Sequence, residues 1–559
     1  MSAVSLLLVF ALYLGSVVLS FNQIDEDAFI YLRIAANIAD GHGYVFNIGG
    51  EHIESGSSLL WQLMLVPLQW LPIDPIISAK LLGIGFGCLA LTIVFALSRL
   101  LIRDAMLRIV PSMMLAVAVP FFCWSQRGME TALYLCALLA LCYVCIDERW
   151  WPHWYLPAIV VFCARPEGFI ILVGPLLCLF VERARTPRFW SGLAFLVLAC
   201  GGVTLARLWY FHDPFPHSFQ IKAGGEPLFV RVSLFVYHNY HLALLAIPLA
   251  IGFFHREFWN RRVLYLLSFI VMTGLWISAT PDFKPYNRHG LAFIAFFNLV
   301  SIASLDLWMD RSKFRTGIRV AVAIMLLSML PVLQLGKNGI VESSFLRSAK
   351  HEASQYPQGY FSSLAQLIRD PSKSPVGMDA TKAHRVFINT NYQATTGTFI
   401  RDNYPENITF AYDQMGQTPW YAGRDKRVID TLGLASKTTG YSVFTERAQE
   451  SRLLGAYSSL MVSIAGYFWP HEQRMVSRRE AVDYVFDADP ELILINTFVA
   501  KFQPNGLTAR VARDPRIRKR YRRAYVVNGV VTFYERNDIY SSERTRVPPA
   551  ATVRNLAKK

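Results

Sequence analysis

The sequence predicts a polytopic α-helical membrane domain followed by a water-soluble α/β domain. Of the 559 residues, 53% are hydrophobic and only 17% are charged, whereas soluble domains carry about 25% charged residues. Long apolar runs fill the chain up to about residue 335, and ordinary soluble sequence follows. We therefore expect a membrane domain at residues 1–335 and a soluble domain at residues 336–559.

Apolar runs recur through the first domain at lengths near the ~20 residues that a helix needs to cross the hydrocarbon core. Residues 1–21 lack the basic start of a signal peptide, so we expect a retained span there. Residues 59–71 are too short to span alone and predict an interfacial or re-entrant helix. We predict about 11 spans from the runs at 1–21, 59–71, 75–98, 109–124, 130–146, 154–181, 189–210, 240–255, 263–280, 289–309 and 317–335.

The run at 154–181 is interrupted by Arg165-Pro166-Glu167-Gly168. A charged Pro-Gly break inside an apolar run predicts a hairpin or a discontinuous helix.

The net charge of +15 suggests nucleic-acid binding, but the positive-inside rule explains it without that partner. One set of connections between runs is rich in basic residues, and we assign it to the cytoplasm: Arg99, Arg103, Arg108, Arg149, Arg183, Arg185, Arg188, Arg256, Arg261, Arg262, Arg311, Lys313, Arg315 and Arg319. The alternate set holds only Arg33, Arg127, Lys222, Arg231, Lys284 and Arg288. The loop at 22–58 and the soluble domain then lie outside, provided that 154–181 forms a hairpin.

The remaining composition gives no sign of a metal or a cofactor. All eight cysteines precede residue 335 and lie in or beside apolar runs, where cysteine packs as a small apolar residue. The twelve histidines show no metal-ligand spacing, and there is no P-loop or dinucleotide fingerprint. We therefore expect no metal, no cofactor and no soluble nucleotide substrate.

In the soluble domain, short apolar strands alternate with helical stretches, as in an α/β domain. We predict strands at 385–388, 408–412, 427–430, 491–495, 524–527 and 530–534, with Asn528-Gly529 as the hairpin turn between the last two. Eight basic residues lie within 510–523. They indicate a solvated helix face, or else a contact with anionic lipid heads or an anionic glycan.

Polar groups gather in the loops assigned to the outer side. Asp25, Glu26 and Asp27 follow the first span directly, and a carboxylate tuned by its neighbours can act as a general base. Other outer segments place Arg or Lys among aromatic residues. Such segments suit a lipid-linked phosphate, because one guanidinium group can donate two parallel hydrogen bonds to a phosphate. These segments are 126–131, 165–168, 215–222 and 282–288.

On these residues the sequence resembles the multi-spanning GT-C glycosyltransferases, and among them the terminal arabinofuranosyltransferase-like group of bacteria. The Gly-Met-Glu-Thr-Ala-Leu block at 128–133 and the Ala-Arg-Pro-Glu-Gly block at 164–168 together are the most specific part of the resemblance. The other matching blocks lie at 26–30, 40–43, 54–58, 214–222, 282–288, 413–416 and 429–434.

The resemblance implies an inverting transfer of a sugar, arabinofuranose in the nearest group, from a polyprenyl-phosphate donor on the outer face of a bacterial inner membrane. It points to Asp27 as the catalytic base, with Glu26 beside it. The family pair is usually Asp-Asp, so Asp25 competes for a role. His217 stands where Asn is commoner, and Lys284 replaces an apolar residue. These departures leave the sugar open.

From this we expect Arg165, Arg288 and Lys222 to hold the donor phosphate. Glu130 and Glu167 either orient the sugar or form buried ion pairs with these cations. Asp282 and His42 are further candidates for orienting the substrate. We expect these groups to converge with Asp27 at the external water–lipid boundary, and the soluble domain to guide a glycan or protein acceptor: arabinan, lipopolysaccharide, or pilin or flagellin.

Three alternative functions also have to be weighed against the sequence. A transporter or flippase of a lipid-linked sugar would show ionisable groups at mid-membrane and inverted repeats, whereas the charges here lie mostly at one interface. A GT-C transferase using a hexose or an aminopentose also fits. A membrane-anchored binding domain leaves the polar outer loops unexplained.

Overall fold

The structure, a computed structural model, describes residues 2–18, 21, 24–218, 241–279, 288–311, 315–329, 392–450, 476–539 and 553–555. The chain forms two compact units. Unit 1 comprises Met1–Ile24, Ile73–Val203 and Gly224–Met378, and unit 2 comprises Asp25–Pro72, Thr204–Ala223 and Asp379–Lys559. The domain boundary predicted at 335–336 lies outside the described residues and stays a prediction.

Numbered along the chain, the first helices are α1 Ser2–Val18, α2 Glu26–Ala39, α3 Leu59–Leu65, α4 Pro75–Leu101, α5 Val110–Val117, α6 Val119–Ser125, α7 Thr131–Ile146, α8 Tyr155–Ala164, α9 Gly168–Arg183, α10 Pro187–Phe211, α11 His241–Phe253, α12 Arg261–Ala279, α13 Leu291–Arg311 and α14 Arg315–Met329. The later helices are α15 Tyr392–Asn403, α16 Gln417–Ala422, α17 Lys437–Glu450, α18 Arg478–Asp487, α19 Thr497–Phe502, α20 Leu507–Arg513 and α21 Pro515–Arg520. The strands are β1 Thr409–Tyr412, β2 Arg427–Asp430, β3 Leu492–Asn496, β4 Tyr521–Val527, β5 Val531–Arg536 and β6 Val553–Asn555.

Several of these helices are apolar enough to span a membrane, which confirms the predicted helical membrane fold. Within the described part of the chain, Pro75–Leu101, Pro187–Phe211, Arg261–Ser278 and Arg288–Met309 are each long enough to cross alone. Leu107–Val117 and Val119–Ser125 form a further bent pair. The predicted total of about 11 spans stays a prediction.

Two apolar runs are broken. The run at 154–181 divides into α8 and α9 at residues 165–167, as predicted. The run at 109–124, which we expected to be one helix, bends by 61° between α5 and α6. Pro120 lies in the first turn of α6, and a proline there prevents the preceding helix from continuing straight. That proline was the signal in the sequence.

In unit 1, α9 packs against α12, α4 against α7, and α11 against α13. Gly174 permits the first of these contacts, because a Cβ at this position would lie 2.6 Å from the side chain of Met272 and 3.0 Å from the carbonyl oxygen of Ser268. Gly168 has a similar role at the break, where a Cβ would lie 2.6 Å from the carbonyl oxygen of Val161. Glycine therefore sets how closely these helices approach.

Unit 2 is built on a six-stranded sheet with the order β2-β1-β3-β5-β4-β6. Strands β2, β1 and β3 are parallel, and the pairs β3–β5, β5–β4 and β4–β6 are antiparallel. Asn528 and Gly529 connect β4 to β5 with φ of 49° and 70°, as a type I′ hairpin requires. The sheet confirms the predicted α/β fold, and β1 to β5 fall where strands were predicted. The strand predicted at 385–388 lies outside the described residues.

Residues from the first loop share the core of unit 2 with the sheet. Ile30 and Ile34 of α2 belong to the same buried apolar cluster as Phe410, Leu492 and Phe533. These residues lie hundreds of positions apart in the sequence, so the first loop and the sheet build one core in unit 2.

A buried arginine fixes α2 in unit 2. The side chain of Arg33 is fully buried, and its Nε donates to the carbonyl oxygen of Phe46 at 2.9 Å. Nη1 donates to the carbonyl oxygens of Pro419 at 2.8 Å and Gly423 at 3.0 Å, and Nη2 donates to that of Lys426 at 3.0 Å. Burial lowers the pKa of Arg33 to about 9, so the guanidinium remains charged at neutral pH. Its charge is therefore accommodated by backbone dipoles of two separate segments.

We predict that Arg33→Met destabilises unit 2 by on the order of 3 kcal/mol, because buried carbonyl groups that lose a donor each cost about 1–3 kcal/mol. Arg33→Lys should recover only part of this loss, since an ammonium group does not reproduce the planar fork. Thermal unfolding of the detergent-solubilised chain measures the effect. The control is Arg401→Met, at an exposed arginine, which should change stability by less than about 0.5 kcal/mol. Equal melting curves for Arg33→Met and the control would contradict the assignment.

Candidate functional site

In unit 1, Arg165 is the centre of a buried group of charges. It lies between α8 and α9, and its Nε is 2.7 Å from Oε1 of Glu167 and 3.7 Å from Oε1 of Glu130. Its Nη2 lies 2.9 Å from Nε2 of His289. Arginine can only donate, so His289 accepts through Nε2. The side chains of Arg165, Glu130 and Glu167 are all almost fully buried. A buried charge is tolerated only when an opposite charge is paired with it.

Arg288 and Arg127 extend this group of charges. Arg288 is buried in the short turn before α13, and its guanidinium lies 5.5 Å from the ring centroid of Trp124. The guanidinium of Arg127 lies 5.0 Å from the same centroid. Among the described residues, the group thus contains three guanidinium groups and two carboxylates. Its net positive charge suits an anion such as a phosphate.

A narrow cavity runs along this group. Its free volume is about 10 Å³, roughly the space that one water molecule needs. Charged, aromatic and hydroxyl side chains line it together, in the combination that ligand sites use. Its lining residues are Thr131, Tyr134, Leu135, Arg165, Glu167, Ile171, Thr273, Trp276, Arg288, His289, Leu291 and Ala292.

The acidic triplet lies in unit 2 at the start of α2. Asp25 caps the helix, since its Oδ1 accepts a hydrogen bond from the backbone N–H of Asp27 at 3.0 Å. Glu26 accepts one through Oε1 from the backbone N–H of Gly416 at 3.1 Å. Asp27 is half-buried in the first turn. The first two carboxylates therefore have structural partners that explain their positions.

Gly416 brings its loop against the first turn of α2. A Cβ at this position would lie 2.0 Å from the backbone oxygen of Glu26, so no other residue fits without movement. Nearby, the ring of Phe29 packs against Trp420 and Tyr421, with centroids 6.1 and 5.8 Å apart. These contacts fix the direction of the acidic turn within unit 2.

Polar side chains also gather at the carboxyl ends of the three parallel strands of unit 2. Asp413 follows β1, Asp430 ends β2 and Asn496 ends β3, and all three are buried. Thr508 donates to Oδ2 of Asp413 at 3.1 Å. Burial raises the pKa of Asp413 to about 7 against this hydrogen bond. Ligands of α/β proteins bind beside this edge of a parallel sheet.

The carboxyl group of Asp430 is held by the backbone. It accepts hydrogen bonds from the N–H groups of Leu432 at 2.7 Å and Ala435 at 2.6 Å. Burial nevertheless raises its pKa to about 6. The two neighbouring aspartates thus both favour the neutral form more than exposed aspartates do.

Other predicted site residues have different surroundings. His42 is exposed between Gly41 and Gly43, which both have positive φ. Lys222 and Asp282 lie outside the described residues, as does Lys284. The expected convergence of Asp27 with Arg165 and Arg288 stays a prediction.

His217, which departs from the resembled pattern, is a buried part of unit 2. Its backbone N–H donates to the carbonyl oxygen of Glu54 at 3.0 Å. Burial lowers its pKa to about 4, so the ring is neutral at pH 7. Close by in the chain, Arg207 forms a two-point ion pair with Glu54, at 2.8 and 3.0 Å.

The basic stretch 510–523 does not form one helix face, as we had expected. It comprises the end of α20, then α21, then the first residues of β4. Pro515 begins α21 and ends the continuity. Arg510, Arg513, Arg518, Lys519, Arg522 and Arg523 are exposed.

Several groups of the unit 1 cavity were not predicted from the sequence. His289 directly follows the block that we singled out, and Tyr134 lies one helical turn after Thr131. The helical spacing of three residues was a usable signal for Tyr134. No comparable sequence signal distinguishes Trp124 and Trp276, because apolar runs contain many aromatic residues. Within the described residues, no group of three or more His, Cys, Asp or Glu side chains is arranged to hold a metal ion.

Residues 385–542 match the family described as a domain of unknown function, DUF8728. No curated protein matches the sequence significantly. Among solved structures, the chain is similar to ArnT from Cupriavidus metallidurans in the apo state, with a TM-score of 0.52 and 12% identity over 96% of this chain and 98% of ArnT. It is also similar to the same protein bound to undecaprenyl phosphate, with a TM-score of 0.50 and 12% identity over 95% of this chain and 97% of ArnT.

The oligosaccharyltransferase of Archaeoglobus fulgidus in the apo form gives a TM-score of 0.49 and 10% identity, covering 96% of this chain and 74% of that one. At such low identity, the likeness to ArnT concerns the fold alone. Over nearly its full length, the chain therefore has a fold like that of ArnT.

We predict that Asp413→Asn stabilises unit 2 at pH 8 by on the order of 2 kcal/mol. The pKa of Asp413 is raised from 3.8 to about 7, so between about pH 4 and 7 the folded state binds more protons than the unfolded state. The free energy of unfolding therefore falls as pH rises through this window, and it levels off above pH 7. The variant lacks this fall, so its advantage should disappear near pH 4.

Melting temperatures between pH 4 and 8 test this prediction. Asp430 also titrates, with a pKa of about 6, so a weaker slope between about pH 4 and 6 should remain in the variant. Asp402→Asn, at an exposed residue, serves as the control. If Asp413→Asn and wild type show parallel curves, Asp413 is not the group responsible.

Proposed function

We propose that this chain is a membrane glycosyltransferase that moves a sugar from a polyprenyl-phosphate donor to an acceptor on the outer face of a bacterial inner membrane. Arabinofuranose is the sugar that the sequence resemblance favours. The acceptor is a glycan or a protein, and the transfer inverts the anomeric centre.

One observation carries the proposal: Arg165 and Arg288 line the same buried cavity, together with Glu167 and the aromatic ring of Trp276. Two guanidinium groups suit a phosphate, and the aromatic ring offers a face for a sugar. The likeness of the fold to ArnT, which has been solved with undecaprenyl phosphate bound, supports a lipid phosphate as the ligand.

In the proposed reaction, Asp27 accepts the proton of an acceptor hydroxyl. The hydroxyl oxygen attacks the anomeric carbon, the bond between this carbon and the phosphate oxygen breaks, and polyprenyl phosphate leaves with the electron pair. Arg165 and Arg288, with Lys222, stabilise the charge that develops on the leaving phosphate. Glu130 and Glu167 keep the guanidinium of Arg165 in position through the ion pairs already described.

Hydrogen bonds and polar side chains within unit 2 support two further assignments. Asp25 and Glu26 are engaged by the helix cap and by Gly416, which gives both a positioning role, and Asp27 is proposed as the base on the sequence resemblance. The polar edge of the sheet at Asp413, Asp430 and Asn496 is where we propose that an acceptor docks. His42 and Asp282 remain candidates for orienting the substrate.

We predict that membranes containing wild-type protein transfer label from one member of a panel of radiolabelled polyprenyl-phosphate sugars, and that Asp27→Asn lowers the rate by about 10²–10⁴-fold, as loss of a general base does. Glu26→Gln keeps an acceptor for the N–H of Gly416 and should cost less than about tenfold. Asp402→Asn, at an exposed residue, is the control for expression and insertion.

Full transfer by well-expressed Asp27→Asn would refute the base assignment. If wild type moves intact labelled donor across the bilayer of proteoliposomes without transfer to any acceptor, the chain is a flippase and the transferase proposal fails.

A further inference from the structure

Two hydroxyl groups of α7 belong to the unit 1 cavity. Thr131 and Tyr134 lie three residues apart, so they share one face of the helix, and both line the cavity. Their side chains are at least nine-tenths buried: Thr131 is 2% exposed and Tyr134 is 8% exposed. The hydroxyls are therefore held where only a neighbour in the protein, or a molecule in the cavity, can reach them.

Neither hydroxyl has a hydrogen-bond partner among the residues that the structure describes. A buried polar group without a partner is destabilising, and native proteins leave few of them. Thr273 provides the contrast, because it lines the same cavity but its hydroxyl donates to the carbonyl oxygen of Phe269 at 2.6 Å. The cavity thus contains one threonine whose hydroxyl is used by its own helix and another whose hydroxyl is not.

The chemistry around these hydroxyls indicates what they bind. The ring of Tyr134 lies under the guanidinium of Arg165, 5.6 Å from its centroid, and Trp276 contributes a second aromatic ring. An anionic group in the cavity has the guanidinium groups of Arg165 and Arg288 available. A neutral hydroxyl is a weaker partner for a phosphate than a guanidinium, but it can both donate to and accept from the hydroxyl of a sugar.

We propose that Thr131 and Tyr134 form the subsite for the sugar of the donor, in which each hydroxyl bonds one hydroxyl of the sugar ring. This assignment rests on the proposed function. It makes these residues determinants of which sugar is transferred, since a site built to bond a substrate hydroxyl discriminates against the analogue that lacks it.

The test compares Thr131→Val and Tyr134→Phe with Thr92→Val as the matched control, because the hydroxyl of Thr92 in α4 donates to the carbonyl oxygen of Cys88 at 2.9 Å and Thr92 is not a lining residue of the cavity. All three substitutions remove one hydroxyl with little change of shape. With the sugar donor that wild type uses, we expect kcat/KM to fall about tenfold for Thr131→Val and for Tyr134→Phe. Thr92→Val should keep its activity within about twofold. The melting temperatures of the first two variants should stay equal to wild type or rise, because the protein loses no hydrogen bond of its own.

Two further experiments identify the part of the donor that Thr131 and Tyr134 bind. Donors that lack one ring hydroxyl should be poor substrates of wild type. A donor that lacks the hydroxyl bonded by Thr131 or by Tyr134 should be transferred at the same rate by wild type and by the variant of that residue. Inhibition by polyprenyl phosphate without a sugar should be the same in wild type and in both variants, because the phosphate does not use these hydroxyls.

The proposal is overturned if Thr131→Val and Tyr134→Phe behave like Thr92→Val, or if they weaken inhibition by polyprenyl phosphate as much as they weaken use of the sugar donor. It also falls if their loss of activity comes with a lower melting temperature. Failure of the proposed function looks different, because wild type itself would then transfer no sugar from any donor.

Discussion

Burying arginine side chains away from water is the constraint on which both units depend. A buried guanidinium is tolerated only where carboxylates or carbonyl groups surround it. In unit 2, Arg33 meets this requirement with backbone carbonyls from residues 46 and 419–426, so a loop near the start of the chain is part of the same fold as the sheet. In unit 1, Arg165 meets it with Glu130, Glu167 and His289, which belong to three different parts of the chain. The first arrangement is closed by backbone carbonyl groups and the ring of Phe46, whereas the second borders a cavity.

Arg33 therefore has a structural role, whereas Arg165 lies where it can contact a ligand. The carbonyl groups around Arg33 leave it no access to a ligand, and its role is to position α2, whose first turn carries Glu26 and Asp27. Arg165 and Arg288 face a space that hydroxyl and aromatic side chains also line. A buried site of this kind strengthens each electrostatic contact with a phosphate, because little water competes. The proposed role of the protein in the reaction is thus to hold a charged leaving group where its guanidinium groups are already in place.

Local signals predicted much of the fold. The strands β1 to β5 follow from short apolar runs, the hairpin turn follows from Asn528-Gly529, and the break between α8 and α9 follows from Pro166 and Gly168. The meeting of Arg165 with Arg288 in one cavity followed from the loop positions of both residues. What the sequence did not reveal depends on contacts between distant segments. Arg33 looked like an ordinary loop charge, because nothing near it in the sequence marks carbonyl groups almost 400 positions away. Tyr134 looked like one apolar residue among many, because its hydroxyl matters only through what surrounds it. The 61° bend between α5 and α6 was not predicted, although Pro120 is a local signal for it.

The central claim is that a lipid phosphate binds in the cavity at Arg165 and Arg288, and photoaffinity labelling tests it most directly. The purified full-length chain is irradiated with a polyprenyl phosphate that carries a diazirine on the isoprene unit next to the phosphate, and the labelled peptides are identified by mass spectrometry. We expect labels on peptides that contain residues 131–135, 165–171 or 288–292, and we expect an excess of unmodified polyprenyl phosphate to remove them. Competable labels confined to other peptides, such as the basic segment 510–523, would contradict the account.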